Sequence, residues 1–347
     1  MKIAIFTYGS FEKAYGGQCK LLKEGLNKNN IQTIKLASKV KKSILKFFFF
    51  LLGLRSGLMF TGFCYKLNIP KNLATSSFII TFAQIIPWNL FFFLIRYKIR
   101  IIYWNDMTIE KVVDIYVKGF FWKKIVIIIC KIQLFFLDFR ILGTNKFQFK
   151  HYKNISIVPR IIDNCFYRTE DKKYKNSTWN LVLIGNDFSR KEFANIIVFT
   201  RDLFKKINID LKIYIIGKYS ISLKKESNKN LIFLGELKKK KISEFLKKLN
   251  FFFTISISQN EGAPISLLEV QASGGFSFCT INNGGKTYVP KDCVFENNNQ
   301  LTRILLKLIH NKNFRIYIKK KIHVKLKKHT DNYIANQIVT SLKYKRL

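Results

Sequence analysis

Short apolar runs alternate with longer amphipathic ones along this chain, and the alternation starts afresh near the middle. Residues 1–7, 31–35, 78–83, 99–104, 140–144 and 156–158 read as buried strands, being short, mostly apolar and bounded by polar or glycine-containing segments. A polar stretch at 168–177, rich in Lys, Asp and Asn, separates them from a second series. That series has strands at 180–184, 211–216, 231–234, 251–256 and 276–280, with helices at 193–206, 241–248 and 266–273. Strands that stay apolar along their whole length, with helical segments between them, belong to parallel sheets covered by helices on both faces. The pattern predicts an α/β chain with two such sheets, and 347 residues suffice for two cores. Residues 78–95 carry no charge, at the lower limit for a membrane span. Thr81, Gln84, Pro87 and Asn89 interrupt that stretch, which therefore reads as a strand to 83, a turn at Pro87 and a helix through 95.

The second half carries the most informative local chemistry. Glu261 and Glu269 have seven residues between them, the first in a loop with Gly262 and Pro264, the second in a helix. Ser266 followed by Glu269 has the capping-box spacing, and Gly274 stands where a C′ glycine would end the helix. The N-terminus of such a helix offers unpaired N–H groups and a positive dipole end, a ready anion site. Ionised carboxylates beside it accept hydrogen bonds from sugar or ribose hydroxyls. Read alone, Glu269 is equally a cap for its own helix, and Glu261 a solvated loop acid. Residues 185–191 follow a strand and open a helix, which puts Arg190 and Lys191 at a turn. Two fixed cations there could stabilise a departing diphosphate, or simply be a solvated basic turn. Gly16-Gly17 follows the first strand, where missing side chains let backbone approach a ligand.

Residues 259–274 resemble the Glu-x7-Glu signature of the family 4 retaining glycosyltransferases, with Val270 where Ala is usual and Gln271 where Met is usual. The segment from Gly185 to Lys191 resembles that family's Gly-(variable)-Arg-Lys-Gly turn. Glu192 replaces its final glycine, so the turn after Lys191 is expected to differ. Tyr15-Gly16-Gly17 matches the family's N-terminal glycine pair, and Gly284-Gly285 resembles the pair after its last core strand. The resemblance covers nearly the full chain. It implies the GT-B fold, α/β with two Rossmann-like doubly wound domains facing a central cleft. Residues 1–160 would form the acceptor domain, 161–330 the nucleotide-sugar domain, and 331–347 a helix crossing back to the first.

The same resemblance implies catalytic roles for Glu261, Arg190, Lys191 and Asn105. It implies donor binding by Glu269, Gly16, Gly17, Gly185, Gly262, Ile265, Ser266 and Leu267. Glu269 would hold the ribose hydroxyls and Glu261 the donor sugar. Asn105 stands where the family often has a histidine; an amide can donate a hydrogen bond but cannot take a proton near neutral pH. The implied activity is transfer from a UDP- or GDP-sugar, with retention and without metal or cofactor, to a glycan or lipid-linked acceptor. Cell-surface polysaccharide or lipopolysaccharide synthesis is the implied setting. A catalytically inactive scaffold of the same fold would also account for Asn105 and Glu192.

Lys and Arg number 61 against 21 Asp and Glu, a net charge of +40. Such a charge attracts polyanions, although Lys, Ile, Asn and Phe all have A/T-rich codons and a low-GC genome raises them together. An anionic membrane surface is the expected partner. Nucleic acid, the alternative polyanion, is disfavoured because no recognised binding module or spaced aromatic–basic motif appears. Residues 47–52, Phe-Phe-Phe-Phe-Leu-Leu, are flanked by Lys41, Lys42, Lys46 and Arg55 and read either as a helix lying on a membrane or as a buried one. Six scattered cysteines and four histidines show no ligand spacing, so neither structural zinc nor a disulfide framework is expected. The first residues read as a strand rather than a secretory signal, and a cytoplasmic protein, peripheral on the inner face of the membrane, is expected.

Overall fold

The structure, a computed structural model, describes residues 1–8, 17–40, 65–66, 69–76, 78–81, 86, 88–105, 110, 113, 119–137, 139–144, 155–168, 178–185, 191–217, 230–258 and 264–343. The chain divides into two compact units, Met1–Ile161 with Asp331–Leu347, and Ile162–Thr330.

The first unit is built on β1 (Lys2–Tyr8), β2 (Gln32–Val40), β3 (Tyr65–Lys66), β4 (Phe78–Thr81), β5 (Arg100–Asn105), β6 (Phe139–Gly143) and β7 (Ile155–Ile157). Their order is β3-β2-β1-β4-β5-β6-β7, parallel throughout except where β3 runs against β2. Helices α1 (Gln18–Lys28), α2 (Trp88–Tyr97) and α3 (Phe120–Phe136) cover it. Ile3 and Ile5 pack into the cluster that holds Leu22 and Leu26 of α1. Ala4 and Phe6, one residue out of phase, pack with Leu90, Phe91 and Leu94 of α2. A strand with both faces covered must be apolar at every position, hence its unbroken sequence. The uncharged stretch 78–95 divides as its polar interruptions predict, into β4 and α2. Among the described residues, no helix is long and apolar enough to cross a membrane. The greasy segment 47–52 lies outside the described residues.

The second unit holds β8 (Trp179–Ile184), β9 (Leu211–Ile216), β10 (Leu231–Gly235), β11 (Phe251–Ser256), β12 (Phe276–Thr280) and β13 (Val294–Phe295). All pairs are parallel, in the order β10-β9-β8-β11-β12-β13. Its helices are α4 (Phe193–Lys206), α5 (Lys239–Lys248), α6 (Ile265–Ala272), α7 (Asn298–His310) and α8 (Lys312–Leu326). The chain moves outward from β8 to β10, then returns to lay β11 on the other side of β8. Such a reversal is the switch point at which open α/β sheets bind ligands, beyond the carboxyl ends of the strands. The first unit has the same reversal between β1 and β4.

The last helix, α9 (Asp331–Lys343), belongs to the first unit and packs on α1. A side chain at Gly25 would collide with the Asp331 carbonyl, so glycine lets the two helices approach closely. Lys28 Nζ meets Asp331 Oδ2 at 2.5 Å, and Ile334, Ala335, Ile338 and Leu342 are buried in the same cluster as α1. Where the chain passes between units, each side is tied within its own. Gln18 holds Ile161 by both its amide atoms, at 2.7 and 2.8 Å, while the Ile162 N–H donates to the His329 carbonyl at 2.9 Å.

Candidate functional site

The carboxyl edge of the second sheet is lined by glycine. Gly185 follows β8 and its N–H donates to Ile216 O at 2.9 Å; Gly217 follows β9 and donates to Gly235 O, which ends β10, at 2.8 Å. Gly217 and Gly235 have φ of 132° and 70°, values that exclude ordinary side chains. The Lys191 side chain lies directly over Gly185, where an added Cβ would run into its Cδ and Cε. Glu192, which begins α4, adopts φ 55° and ψ 37°. The turn after Lys191 therefore has a left-handed backbone that a glycine would take freely. For a glutamate this conformation costs roughly 1–2 kcal/mol.

Helix α6 leaves the other side of the switch point. It starts at Ile265 with Pro264 at the N-cap, and no side chain caps it. The capping box expected from Ser266 and Glu269 does not form: Ser266 is already the second helical residue, and Glu269 turns inward, only 5% exposed. Proline explains the earlier start, because its φ of −69° leads the chain into the helix without a capping hydroxyl. The far end follows the sequence reading. Gly274 has φ 93°, its N–H donates to Gln271 O at 3.0 Å, and the Gly275 N–H reaches Val270 O at 2.9 Å. These are the two bonds of a Schellman ending.

Asn283, fully buried after β12, joins these pieces and was missed by sequence reasoning. Its amide donates to Ser256 Oγ at 2.8 Å and Ser258 O at 2.7 Å, and its carbonyl accepts from the Gly285 N–H at 2.7 Å. It thereby holds the end of β11, just before residues 259–263. A Cβ on Gly285 would come within 2.9 Å of Pro264 Cγ and 2.5 Å of Leu267 Cδ1, so the same turn supports the start of α6. An Asn preceding Gly-Gly is the sequence signal for such a side-chain-closed turn.

Burial is the largest influence on Glu269 and pushes its pKa above the usual 4.5. Lys239 and Lys191 act in the opposite direction, favouring the carboxylate, while Asp163 adds to the rise. Among the described residues, nothing donates a hydrogen bond to the Glu269 carboxylate. An inward-facing acid lacking donors, with two lysines in electrostatic reach, suits a ligand that brings hydroxyl donors and negative charge together. Asp163 Oδ1 accepts from the Cys165 N–H at 3.0 Å, and Ser243 and Lys247 of α5 both donate to the Cys165 carbonyl. Residues 163–165 are thereby fixed against α5, the helix that carries Lys239.

Of the residues singled out from sequence, Glu269, Lys191 and Gly185 come together at the switch point of the second unit. Ile265, Ser266 and Leu267 form the first turn of α6. Gly17 lies in the first unit, as the N-cap of α1 with φ 83°. Asn105 ends β5 there, in register with Gly143 of β6. Gly16, Arg190, Glu261 and Gly262 lie outside the described residues. Among the described residues, no three His, Cys, Asp or Glu side chains gather as metal ligands.

Residues 168–324 match the family described as glycosyl transferases group 1. No curated protein matches the chain by sequence. Solved structures resemble it over its whole length. WaaG, a glycosyltransferase involved in lipopolysaccharide biosynthesis, superposes with a TM-score of 0.61 at 13% identity, covering 99% of this chain and 100% of its own. Anabaena HepE, solved with UDP and glucose, gives 0.63 at 10% identity, over 99% and 100%. Sucrose-phosphate synthase from Thermosynechococcus elongatus gives 0.68 at 12%, over 98% of each chain. The likeness shows the fold, an α/β architecture of two parallel-sheet domains of the GT-B kind.

Proposed function

We propose that the chain is a retaining glycosyltransferase of the family 4 type, moving a sugar from a UDP- or GDP-sugar to a glycan or lipid-linked acceptor. The observation that carries this reading is Glu269: buried, without a hydrogen-bond donor among the described residues, and near Lys191 at the sheet's switch point. The ribose hydroxyls of the donor would supply the missing hydrogen bonds. Lys191, with Arg190 beside it in sequence, would offset the charge that grows on the departing diphosphate. Two such cations would let the reaction proceed without a metal. Glu261 would contact the donor sugar, and the first turn of α6, Ile265 to Leu267, would offer its N–H groups to the donor. The acceptor would bind to the first unit, while Gly16, Gly17 and Asn105 of that unit would contact the donor. A pathway for cell-surface polysaccharide or lipopolysaccharide fits the kind of protein that WaaG is. A cytoplasmic enzyme peripheral on the inner membrane face fits such an acceptor.

The deciding experiment is calorimetric titration with UDP, GDP, ADP and their common sugar conjugates, repeated with Glu269→Ala. Binding of one nucleotide class, lost in the variant, is the expected result and names the donor class. No binding by any nucleotide would overturn the proposal. With the donor known, Asn105→Ala should lower turnover more than donor affinity, and chelation by EDTA should leave the rate unchanged.

A further inference from the structure

Helices α2 and α3 both pack their inner sides into one cluster on the same face of the first sheet, together with Phe6, Ile101 and Tyr103. Their sequences contain hardly any polar positions to turn outward. On α3, Val126, Cys130 and Gln133 recur at helical spacing on the buried side, and Leu137 just after its end is buried too. The opposite stripe consists of Phe121, Lys124, Ile128, Lys131, Ile132 and Phe135. Phe121 is 66% exposed, Ile128 54% and Phe135 83%. On α2, Phe92 is 61% exposed beside Arg96, and Tyr97 is exposed at its end. A helix apolar all round is normally covered on all sides, and an outward surface with this many large apolar side chains marks an interaction site.

The charge on this surface identifies the occupant. Neither helix contains an acid, whereas Lys123, Lys124, Lys131 and Arg96 interrupt or flank the apolar stripe. In a symmetric pairing of two copies, the same lysines would face their counterparts inside an apolar contact with no counter-charge, which is strongly unfavourable. At a bilayer the same arrangement is favourable. The rings enter the headgroup boundary while the lysines extend along their own stems to the lipid phosphates. Tyr97, exposed at the end of α2, is a residue type that settles at that level. We propose that the outward face of α2 and α3 is the membrane-docking surface of this protein and that its partner is an anionic lipid bilayer. This deepens the reading of a lipid-linked acceptor by naming the part of the first unit that would hold the enzyme against the membrane.

Vesicle flotation at low salt and without nucleotide tests it, so failure would leave the donor-binding reading standing. The full chain should float with vesicles containing a third phosphatidylglycerol and not with pure phosphatidylcholine. Phe121→Ser with Ile128→Ser and Phe135→Ser should abolish flotation, and Lys124→Glu with Lys131→Glu should do so independently, both variants melting like the parent. Three results would each overturn the proposal: a parent that stays in solution, a triple variant that still floats, or a parent dimer that the same substitutions dissolve.

Discussion

Glu269→Gln should make the nucleotide-free protein more stable and the nucleotide-binding protein worse. In the free protein, the carboxylate is buried and lacks a hydrogen-bond donor among the described residues, and desolvation outweighs the help of Lys239 and Lys191. An unmet neutral polar group costs roughly 1–3 kcal/mol and an unmet charge more. Exchanging carboxylate for an amide of the same shape should therefore recover about 1 kcal/mol near neutral pH. For a unit of about 170 residues that is a rise in Tm of about 2–4 °C. The gain must depend on pH. Because the folded state holds the Glu269 proton more tightly than the unfolded state does, it binds more protons between 4.5 and the raised folded value. The parent accordingly loses stability as pH rises through that window. The advantage of the glutamine variant should be absent below 4.5, grow through the window and level off above it. With nucleotide the sign reverses. Hydrogen bonds to a charged group are worth about 1.5–3 kcal/mol, so losing the carboxylate that accepts the ribose hydroxyls should weaken binding by about 10- to 100-fold. Thermal melts from pH 4 to 8.5, with and without the nucleotide identified by calorimetry, measure both effects. A variant that melts lower than the parent at pH 8, or binds nucleotide as well, would refute the reasoning.

Three further substitutions probe the surroundings of the site. Gln271→Met should raise Tm by about 2–8 °C. Both amide atoms of the buried Gln271 lack a hydrogen-bond partner among the described residues, and methionine fills a similar volume without the roughly 1–2 kcal/mol penalty. Asn283→Ala should cost about 3 kcal/mol by denaturant unfolding, since it removes three buried hydrogen bonds. It should also weaken nucleotide binding, because the end of β11 and the start of α6 lose their common anchor. Glu192→Gly should gain about 0.5–1 kcal/mol in the same assay: relief of the left-handed strain exceeds glycine's greater entropy loss.

What could be read from the sequence was whatever local backbone chemistry dictates. Most strands of both sheets were legible because covered parallel strands must be apolar, whereas the two-residue β3 and β13 were not, and the end of α6 was legible because only glycine takes φ 93° without strain. The start of α6 was misread. Ser266 and Glu269 satisfy the capping-box spacing, but Pro264 begins the helix before Ser266 can cap it. The burial of Glu269 was illegible because spacing within a short helix that is apolar on most sides does not say which face packs against the sheet. The role of Asn283 was hidden because its partners Ser256 and Ser258 lie more than twenty residues earlier and meet it only once β11 and β12 pair. The outward apolar face of α3 was hidden because composition alone does not distinguish a buried helix from an exposed one.

Two of the unfavourable choices of the second unit meet at Lys191, where a ligand would bind. Among the described residues, four other than glycine have positive φ: Asn30, Lys98, Glu192 and Asn208. Asn30, Lys98 and Asn208 each follow the end of a helix, at α1, α2 and α4, where a left-handed residue closes the last turn and is ordinary. Glu192 instead opens a helix, directly after Lys191, where no such closure is gained. Glu269, a second costly residue, feels the charge of that same Lys191. Strain held at a helix start and a buried acid without a donor are each destabilising. Their convergence on one lysine at the β8–β11 switch point is what a site does when it trades stability for a ligand that supplies the missing partners. If so, bound nucleotide should stabilise Glu192→Gly less than the parent, because part of what the ligand compensates has already been removed. An equal ligand-induced rise in Tm for both proteins would mean that the strain at Glu192 has no part in binding.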